Sequence, residues 1–413
     1  MLVPRGVLPL LVAACGALLL PVLEGQSRPF RKLDYMIDPA YQDLINNQDG
    51  FPNLSTFSSD PENFVYGGIF SMSTTNGVPL PSGYQDVLSM QCAIKDVNAL
   101  AAIQGPNTTF FYQIYNDQTM PSAAVRAATL LLAAGVPVTI GPTESDSASA
   151  DAALFAGFNY TLISGSATSV ALSDRTVYGT FYRTIPSDQY AAAVISDLML
   201  FFNWTLVTPI YSRDSYGLSG QQEFTKQAIQ KSILVTCGRT IPPGQLTGIQ
   251  STIDCLSSSQ SSVVLLWMQA RDAANVISAF YNSTILPDLT FIGPDSWGDT
   301  YDLESFAEGA FPVSYLEGTF GVVPRRGDQS RFEACISGLT PDSQDAQEIP
   351  GFLDFWESAL RCIFTNDTSL PPCTGSILER EAAPNITCRC TEQDTLAKFN
   401  ATVSARAREG WWR

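Results

Sequence analysis

Apolar residues recur along this chain with two alternating periods. Short apolar runs at 64–70 (FVYGGIF), 109–115, 136–140 and 159–164 are separated by longer stretches, at 85–101, 122–134 and 145–157, where apolar positions return every three or four residues. Side chains alternate across a strand but share a face at the helical turn, so the runs predict strands and the stretches predict helices. The pattern restarts after Pro186, with helix 188–202, strand 205–211, helix 220–230, strands 233–237 and 262–268, helix 271–281 and strand 290–293. Strands alternating with helices predict βαβ units, and two such series predict an α/β chain of two doubly wound, mainly parallel sheets. A length of 413 residues allows two lobes, each with its own core. Periodicity is weak over 27–61, read as an extended lead-in. It weakens again after 365, where Pro371, Pro372, Pro384 and the Cys388-Arg389-Cys390 cluster interrupt it.

Open α/β sheets bind ligands beyond the carboxyl ends of their strands. There this sequence places Ser145, Ser166, Thr168, Asp214 with Tyr216, and Asp295. Ser145 stands where it would cap the Ala-rich helix that follows, and a free hydroxyl beside helix amides makes a cradle for an anion. Asp188 also opens a helix and reads first as a cap. Set with Tyr216 across a cleft from the cradle, its carboxylate would meet an ammonium. The two sides together suit an α-amino acid, so the pattern points to recognition rather than catalysis.

The first 25 residues set the compartment. Arg5 precedes an uncharged apolar run over 6–23 with small residues near Gly25, which predicts a secretory signal peptide over 1–25. No later segment has eighteen uncharged apolar residues in a row. Eight asparagines lie in Asn-X-Ser/Thr: Asn53, Asn107, Asn159, Asn203, Asn282, Asn366, Asn385 and Asn400. All are glycosylation candidates except Asn159, set aside because it adjoins a predicted buried strand. Beyond the signal peptide eight cysteines remain, an even number suited to an oxidising compartment. Cys237 with Cys255, and Cys362 with Cys373, are spaced to close short loops. Cys388 and Cys390 are too near for an easy pair, and Cys92 and Cys335 have no local partner. A secreted or cell-surface location follows.

The chain has no histidine, which excludes His-dependent zinc sites, Ser-His-Asp triads and Cys-His dyads. A formal net charge of −17 argues against nucleic acid or an anionic membrane surface as partner, because both require a basic face.

Eight segments in order carry a resemblance: GGIFSMS (67–73), AIKDVN (93–98), IGPTES (140–145), SATSVALSDRTVYGTFYRTIPSD (166–188), FFNWTLV (201–207), SYGLSG (215–220), FIGPDSWGD (291–299) and DFWESALRC (354–362). From about Phe64 to Cys373 the chain resembles the extracellular ligand-binding domain of class C G-protein-coupled receptors. It is most similar to the metabotropic glutamate receptors and more distantly to GABA-B receptors and bacterial amino-acid-binding proteins. The resemblance implies a two-lobed Venus flytrap of the type I periplasmic-binding-protein kind, with lobe 1 over 26–185, lobe 2 over 186–319, and 320–413 returning to lobe 1 before a divergent tail. It implies that Ser145, Ser166 and Thr168 hold the ligand's carboxylate side, that Asp188 and Asp295 face its ammonium, and that Tyr216 lays its ring over it. It implies no cofactor, and membrane attachment only through a part outside this chain.

Two departures from the family pattern change the expectation. The basic residue that holds a distal carboxylate in glutamate-binding members is replaced in GYQDVLSMQ by Asp86, and a second basic contact from a later segment has no counterpart. A neutral or cationic side chain therefore suits the site better than glutamate. Taken alone, Asp86 also reads as a first-turn carboxylate favourable to its helix dipole. The family's loop cysteine for a covalent dimer has no counterpart either, so a homo- or heterodimer through lobe 1 would be noncovalent.

Arg326-Gly327-Asp328 reads as ordinary turn chemistry. The terminal AREGWWR, with adjacent tryptophans at the chain end, reads as a truncated chain or a misread gene end. Two other functions compete with a receptor's sensing domain. One is a complete secreted binding protein or decoy, and the other a glycosidase or esterase using Asp295 and Asp299.

Overall fold

The computed structural model describes residues 63–100, 108–283, 288–298, 303, 310–325, 327–375, 380, 386–392 and 394–396. The signal peptide, the lead-in to Pro61, Asn53, Asn107, Asn385, Asn400, Asp299, Arg326 and the AREGWWR end lie outside them. Two compact units divide the chain, residues 1–64 with 93–111 and residues 65–92 with 112–413. Every site contact described below belongs to the second. No described helix is long and apolar enough to cross a membrane.

The first series runs β1 (Asn63–Phe70), α1 (Pro81–Ala99), β2 (Thr109–Asn116), α2 (Pro121–Ala133), β3 (Val138–Ile140), α3 (Ser145–Phe158), β4 (Thr161–Ser164) and β5 (Phe181–Arg183). Its five strands lie in the order β2-β1-β3-β4-β5, with β1-β3, β3-β4 and β4-β5 parallel. The second runs α4 (Asp188–Phe201), β6 (Leu206–Ser212), α5 (Ser215–Gln230), β7 (Leu234–Val235), β8 (Arg239–Ile241), α6 (Ile249–Ser258), β9 (Val263–Trp267), α7 (Ala270–Tyr281), β10 (Thr290–Gly293) and β11 (Phe320–Gly321). Its six strands follow β11-β10-β9-β6-β7, with β8 also on β6, and every pairing is parallel. Two parallel sheets with interleaved helices form, as the periodicity predicts.

The central strand β9 (VVLLW) is buried along its whole length, which is why it reads as a continuous apolar run. Leu265 and Trp267 pack with Tyr211, Tyr216 and Phe224, while Val264 and Leu266 pack with Ile253, Ile277 and Phe291. The differences from the sequence reading are local. Helix α5 begins at Ser215, five residues earlier than the predicted start at Gly220. Its glycines serve packing. A Cβ on Gly220 would come within 2.3 Å of the Trp267 ring, and Asp214 caps the helix by accepting from the Gly217 amide at 2.7 Å. The short strands β5, β8 and β11 and helix α6, which buries Ile249, Ile253 and Leu256, escape a periodicity reading because each offers few repeats.

Cys237 bonds to Cys255, and Cys92 to Cys335 across 243 residues. The short-loop pairing of Cys362 with Cys373 does not form. Cys362 bonds to Cys390 and Cys373 to Cys388. The reason lies in the backbone: Ile363 donates to the Cys388 carbonyl, and Arg389 donates to Pro371 while its own carbonyl accepts from Cys373. The 388–390 segment therefore runs between the other two, and each of its cysteines meets its own neighbour. After β11 come α8 (Ser330–Ile336), α9 (Gln344–Gln347) and α10 (Phe352–Leu360). Phe355 of α10 stacks on Tyr84 of α1 at 4.5 Å, and Tyr84 donates to the Pro350 carbonyl. Asn159, set aside as a glycan acceptor, is exposed: α3 ends at Phe158, Asn159 turns the chain at φ 58°, and the strand begins only at Thr161. Asn203, Asn282 and Asn366 are exposed as well.

Asp117, which follows β2, and Asp151 of α3 are both buried, and Asp151 lies within the electrostatic reach of Asp117. Asp117 takes hydrogen bonds from the Ser71 hydroxyl (2.7 Å) and the Thr119 amide (3.0 Å), yet desolvation still raises its pKa. Asp151 of α3 is fully buried and makes no hydrogen bond through either carboxyl oxygen. Desolvation, helped by Asp117, pushes it to about 8. An unfolded aspartate titrates near 4, so between these values the folded chain holds a proton that the unfolded chain has lost, and stability falls as pH rises. The melting temperature is therefore expected to drop between pH 5.5 and 8.5. Asp151→Asn, which mimics the protonated acid, should flatten that slope and melt higher than the parent at pH 8.5. A parent whose melting temperature climbs over this range would contradict the assignment.

Candidate functional site

In each sheet the strand order reverses at one place, between β1 and β3 in the first and between β6 and β9 in the second. Connections leave in opposite directions there, opening a crevice at the carboxyl ends of the strands. From β3 the chain passes Gly141, whose φ of 98° and whose position (a Cβ would lie 2.0 Å from the Ile69 carbonyl oxygen) admit only glycine. It then reaches Ser145, the first residue of α3. Ser145 is not the cap. Glu144 holds that position and makes no side-chain capping bond, because its carboxylate accepts from Gln269 Nε2 at 2.7 Å instead. The Ser145 hydroxyl is buried and accepts from the Ser169 amide at 3.3 Å. The first-turn amides of α3 are thus left without a capping side chain, at the positive end of the helix dipole.

The loop after β4 is drawn to the same place. Ser164 donates its hydroxyl to the Pro142 carbonyl (2.7 Å) and accepts from the amides of Ser166 (3.2 Å) and Ala167 (2.9 Å). Ser166 is half-buried and Thr168 buried, and the Thr168 carbonyl accepts from the Asp188 amide at 2.9 Å. Asp188 is the first residue of α4, and Ser187 occupies the cap position. The cap reading of Asp188 therefore fails. Its carboxyl is 1 % exposed and is pushed to about 7, first by desolvation and then by the nearby Asp295 carboxylate. The hydroxyls of Thr168 and Ser219 and the Arg183 guanidinium temper that rise, but no donor completes a good hydrogen bond to either oxygen.

Tyr216 comes from the first turn of α5. Its Oη lies 2.9 Å from Asp295 Oδ1 and 3.1 Å from Ser296 Oγ, and Ser296 donates onward to the Met268 carbonyl at 2.7 Å. Burial, with Asp295 and Asp188 close by, raises the phenol well above its ordinary pKa and keeps it a neutral donor. All six sequence-selected residues therefore converge. Ser145 reaches the 166–169 loop, that loop reaches Asp188, and Asp188 faces Asp295 and Tyr216.

Several neighbours were not legible beforehand. Asp146 of α3 accepts from both the amide and the hydroxyl of Ser215, and Ser219 accepts from the Val170 amide at 2.8 Å, so α3 and its adjoining loop are hydrogen-bonded to α5. Glu144, among the carboxylates Asp117, Asp214, Asp146 and Asp272, is pushed to about 7, chiefly by desolvation. Asp86 lies beyond the first turn of α1, since that helix starts at Pro81 rather than Gln85, and the helix-dipole reading of it fails. It is half-buried, accepts from the Thr143 hydroxyl at 3.2 Å, and is raised to about 6 by desolvation. Thr143 stands two residues before Ser145, so Asp86 adjoins the loop that enters the crevice.

Residues 85–373 match the family model described as receptor family ligand binding region. A metabotropic glutamate receptor of Drosophila melanogaster is 26% identical over 225 residues, covering 53% of this chain and 22% of the receptor. An extracellular calcium-sensing receptor of Sus scrofa is 24% identical over 317 residues, 72% of this chain and 28% of the receptor. Taste receptor type 1 member 1 of Mus musculus is 28% identical over 312 residues, 70% of this chain and 34% of the receptor. The chain thus spans about a third or less of the length of these relatives, which are receptors rather than enzymes. With two parallel sheets whose reversal points meet in one polar crevice, and a family match over most of its length, the chain belongs to the receptor family ligand binding region, in its class C G-protein-coupled receptor form.

Proposed function

We propose that the crevice binds a small α-amino acid, and that the chain is the sensing part of a metabotropic-glutamate-receptor-like protein, working outside the cell. The observation that carries the reading is Asp188, a carboxyl almost wholly removed from water with no hydrogen-bond donor completed on it. Opposite it stands the uncapped start of α3 with the Ser145 hydroxyl. An α-amino acid supplies a partner to each side: its ammonium for Asp188, beside Asp295, and its carboxylate for the α3 amides, Ser145, Ser166 and Thr168. Tyr216 packs over the bound ligand and stays a hydrogen-bond donor. Four disulfides and the four exposed sequons at Asn159, Asn203, Asn282 and Asn366 support secretion and glycosylation. Pairing with a second receptor chain would be noncovalent and through lobe 1.

Free amino acids are expected to raise the melting temperature, whereas their N-acetyl and α-ester forms should not. Ligand at a hundred times its dissociation constant should add about 2.7 kcal/mol to stability. Asp188→Asn should show a divided effect. It removes a buried charge and so raises the apo melting temperature at pH 8, yet it weakens amino-acid binding by about 1.5 kcal/mol or more. Asp295→Asn should weaken binding by a similar amount. A panel of the common amino acids giving no shift on folded protein would reject the reading, as would unchanged affinity in both variants.

Side-chain preference follows from Asp86. An anionic ligand side chain near this carboxylate meets like charge, and among the described residues no basic group bonds to Asp86 to offset it, so alanine, serine or glycine should bind more tightly than glutamate. Calorimetry on the parent and on Asp86→Arg checks this. The variant should narrow or reverse the preference, and glutamate as the tightest ligand of the parent would refute the role given to Asp86.

A further inference from the structure

Arg183 closes β5, in register beside Ser164 of β4. Its guanidinium leaves the sheet edge for the loop that carries Ser166 and Thr168. Nη1 donates to the carbonyls of Ala167 (3.3 Å) and Ser169 (2.8 Å), and Nη2 donates to the Ser173 hydroxyl. Between those two carbonyls stands the carbonyl of Thr168, which accepts from the Asp188 amide. Three consecutive carbonyls of the loop are therefore held, the outer two by Arg183 and the middle one by the start of α4. Nη1 alone meets both carbonyls, and the second arm of the fork, Nη2, ties them to Ser173; a lysine ammonium has no second nitrogen to make that tie.

The same guanidinium is a counter-charge for Asp188. Arg183 and Asp188 each favour the other's charged form, Arg183 being half-buried and otherwise pushed toward the neutral state by desolvation. Around Asp188 stand Asp295 after β10, Tyr216 on α5 and the hydroxyls of Thr168 and Ser219. Arg183 is the basic group in that set. Its neighbour Arg175, stacked over Tyr182 at 5.1 Å, acts on Arg183 itself.

We propose that Arg183 is a positioning residue for the crevice: its fork sets the 166–169 loop against α4, and its positive charge supports the Asp188 carboxylate that an ammonium ligand requires. The part played by the charge rests on the amino-acid reading of the site. The part played by the fork does not.

Two variants separate the parts. Arg183→Lys keeps the charge and loses the second arm that reaches Ser173, while Arg183→Met keeps the aliphatic stem and loses both. Hydrogen exchange on the full chain without ligand should show residues 166–170 and the Asp188 amide exchanging about tenfold faster in both variants, with the β9 segment 263–267 unchanged. Unchanged exchange at 166–170 in Arg183→Lys, the milder variant, overturns the positioning role whatever the chain binds.

With alanine or serine as the probe in calorimetry, both variants should bind about tenfold more weakly at pH 8. The pH profile tells them apart. Affinity should fall as pH drops through the Asp188 titration, and only Arg183→Met should move that fall to higher pH, because only it removes the nearby positive charge. Equal profiles for Met and Lys overturn the electrostatic half, and full affinity in Lys overturns the need for the fork. Faster loop exchange in the variants, together with a parent that binds no amino acid, would support the positioning role and refute the amino-acid reading.

Discussion

Carboxylates taken out of water with few cations beside them set the terms of this structure. Asp86, Asp117, Glu144, Asp151, Asp188, Asp214 and Asp272 are all raised, and in each the largest cause is desolvation. Such a group lowers its cost by taking a proton, a hydrogen-bond donor or a positive partner. Asp214 takes donors, accepting from the Ser212 hydroxyl and the Gly217 amide. Asp151 takes a proton at neutral pH. Asp188 has the help of Arg183 and two hydroxyls, and is still pushed up to about 7. A buried carboxyl in that condition has the most to gain from an arriving cation, and an unpaired charge of this kind at a cleft is a functional signal more often than a structural one.

The fold places that carboxyl where a ligand can reach it. Parallel sheets bury their strands and leave their carboxyl ends as the exposed seam, and strand-order reversal opens that seam at one place per sheet. Ser145 follows β3 and Tyr216 follows β6, each strand flanking its reversal, while Asp295 follows β10. Close packing behind the crevice fixes these positions. Gly141 lets the chain pass the Ile69 carbonyl, and Gly220 lets α5 lie on Trp267, so the loops cannot shift without disturbing backbone or ring.

Legibility in the sequence followed the strength of the local signal. Strands and helices with several periods, such as β9 and α7, were readable because burial repeats along them. A three-residue strand such as Phe181–Arg183 carries too little pattern, and Arg183 went unread with it. Helix α5 was read five residues short, since its first residues, SYGLS, offer little apolar periodicity. The pairing of Cys362 and Cys373 failed because spacing measures loop closure, whereas pairing depends on which segments lie side by side. The six crevice residues were found through strand ends and family motifs. Their caps were misplaced by one residue at Ser145 and Asp188, since a polar side chain at a helix start serves as cap or contact according to partners far away in the chain.

The contacts between α3 and α5 complete the physical picture. Asp146 holds Ser215, Gln269 holds Glu144, and Ser219 holds Val170, all by hydrogen bonds. Each such bond is worth about 1 kcal/mol net, more where a carboxylate accepts. Glu144 and Asp146 also stand near Asp214, with Asp272 beside Glu144, and like charges oppose the approach that the hydrogen bonds favour. This contact is thus held by hydrogen bonds and opposed by like charges, unlike the apolar packing inside the second sheet. A dipolar ligand in the crevice, gripped by α3 on one side and by Asp188 and Asp295 on the other, would add its binding energy only when both sides are together. Ligand binding of that kind would favour the arrangement in which both sides meet, by as much as its affinity for that arrangement exceeds its affinity for others.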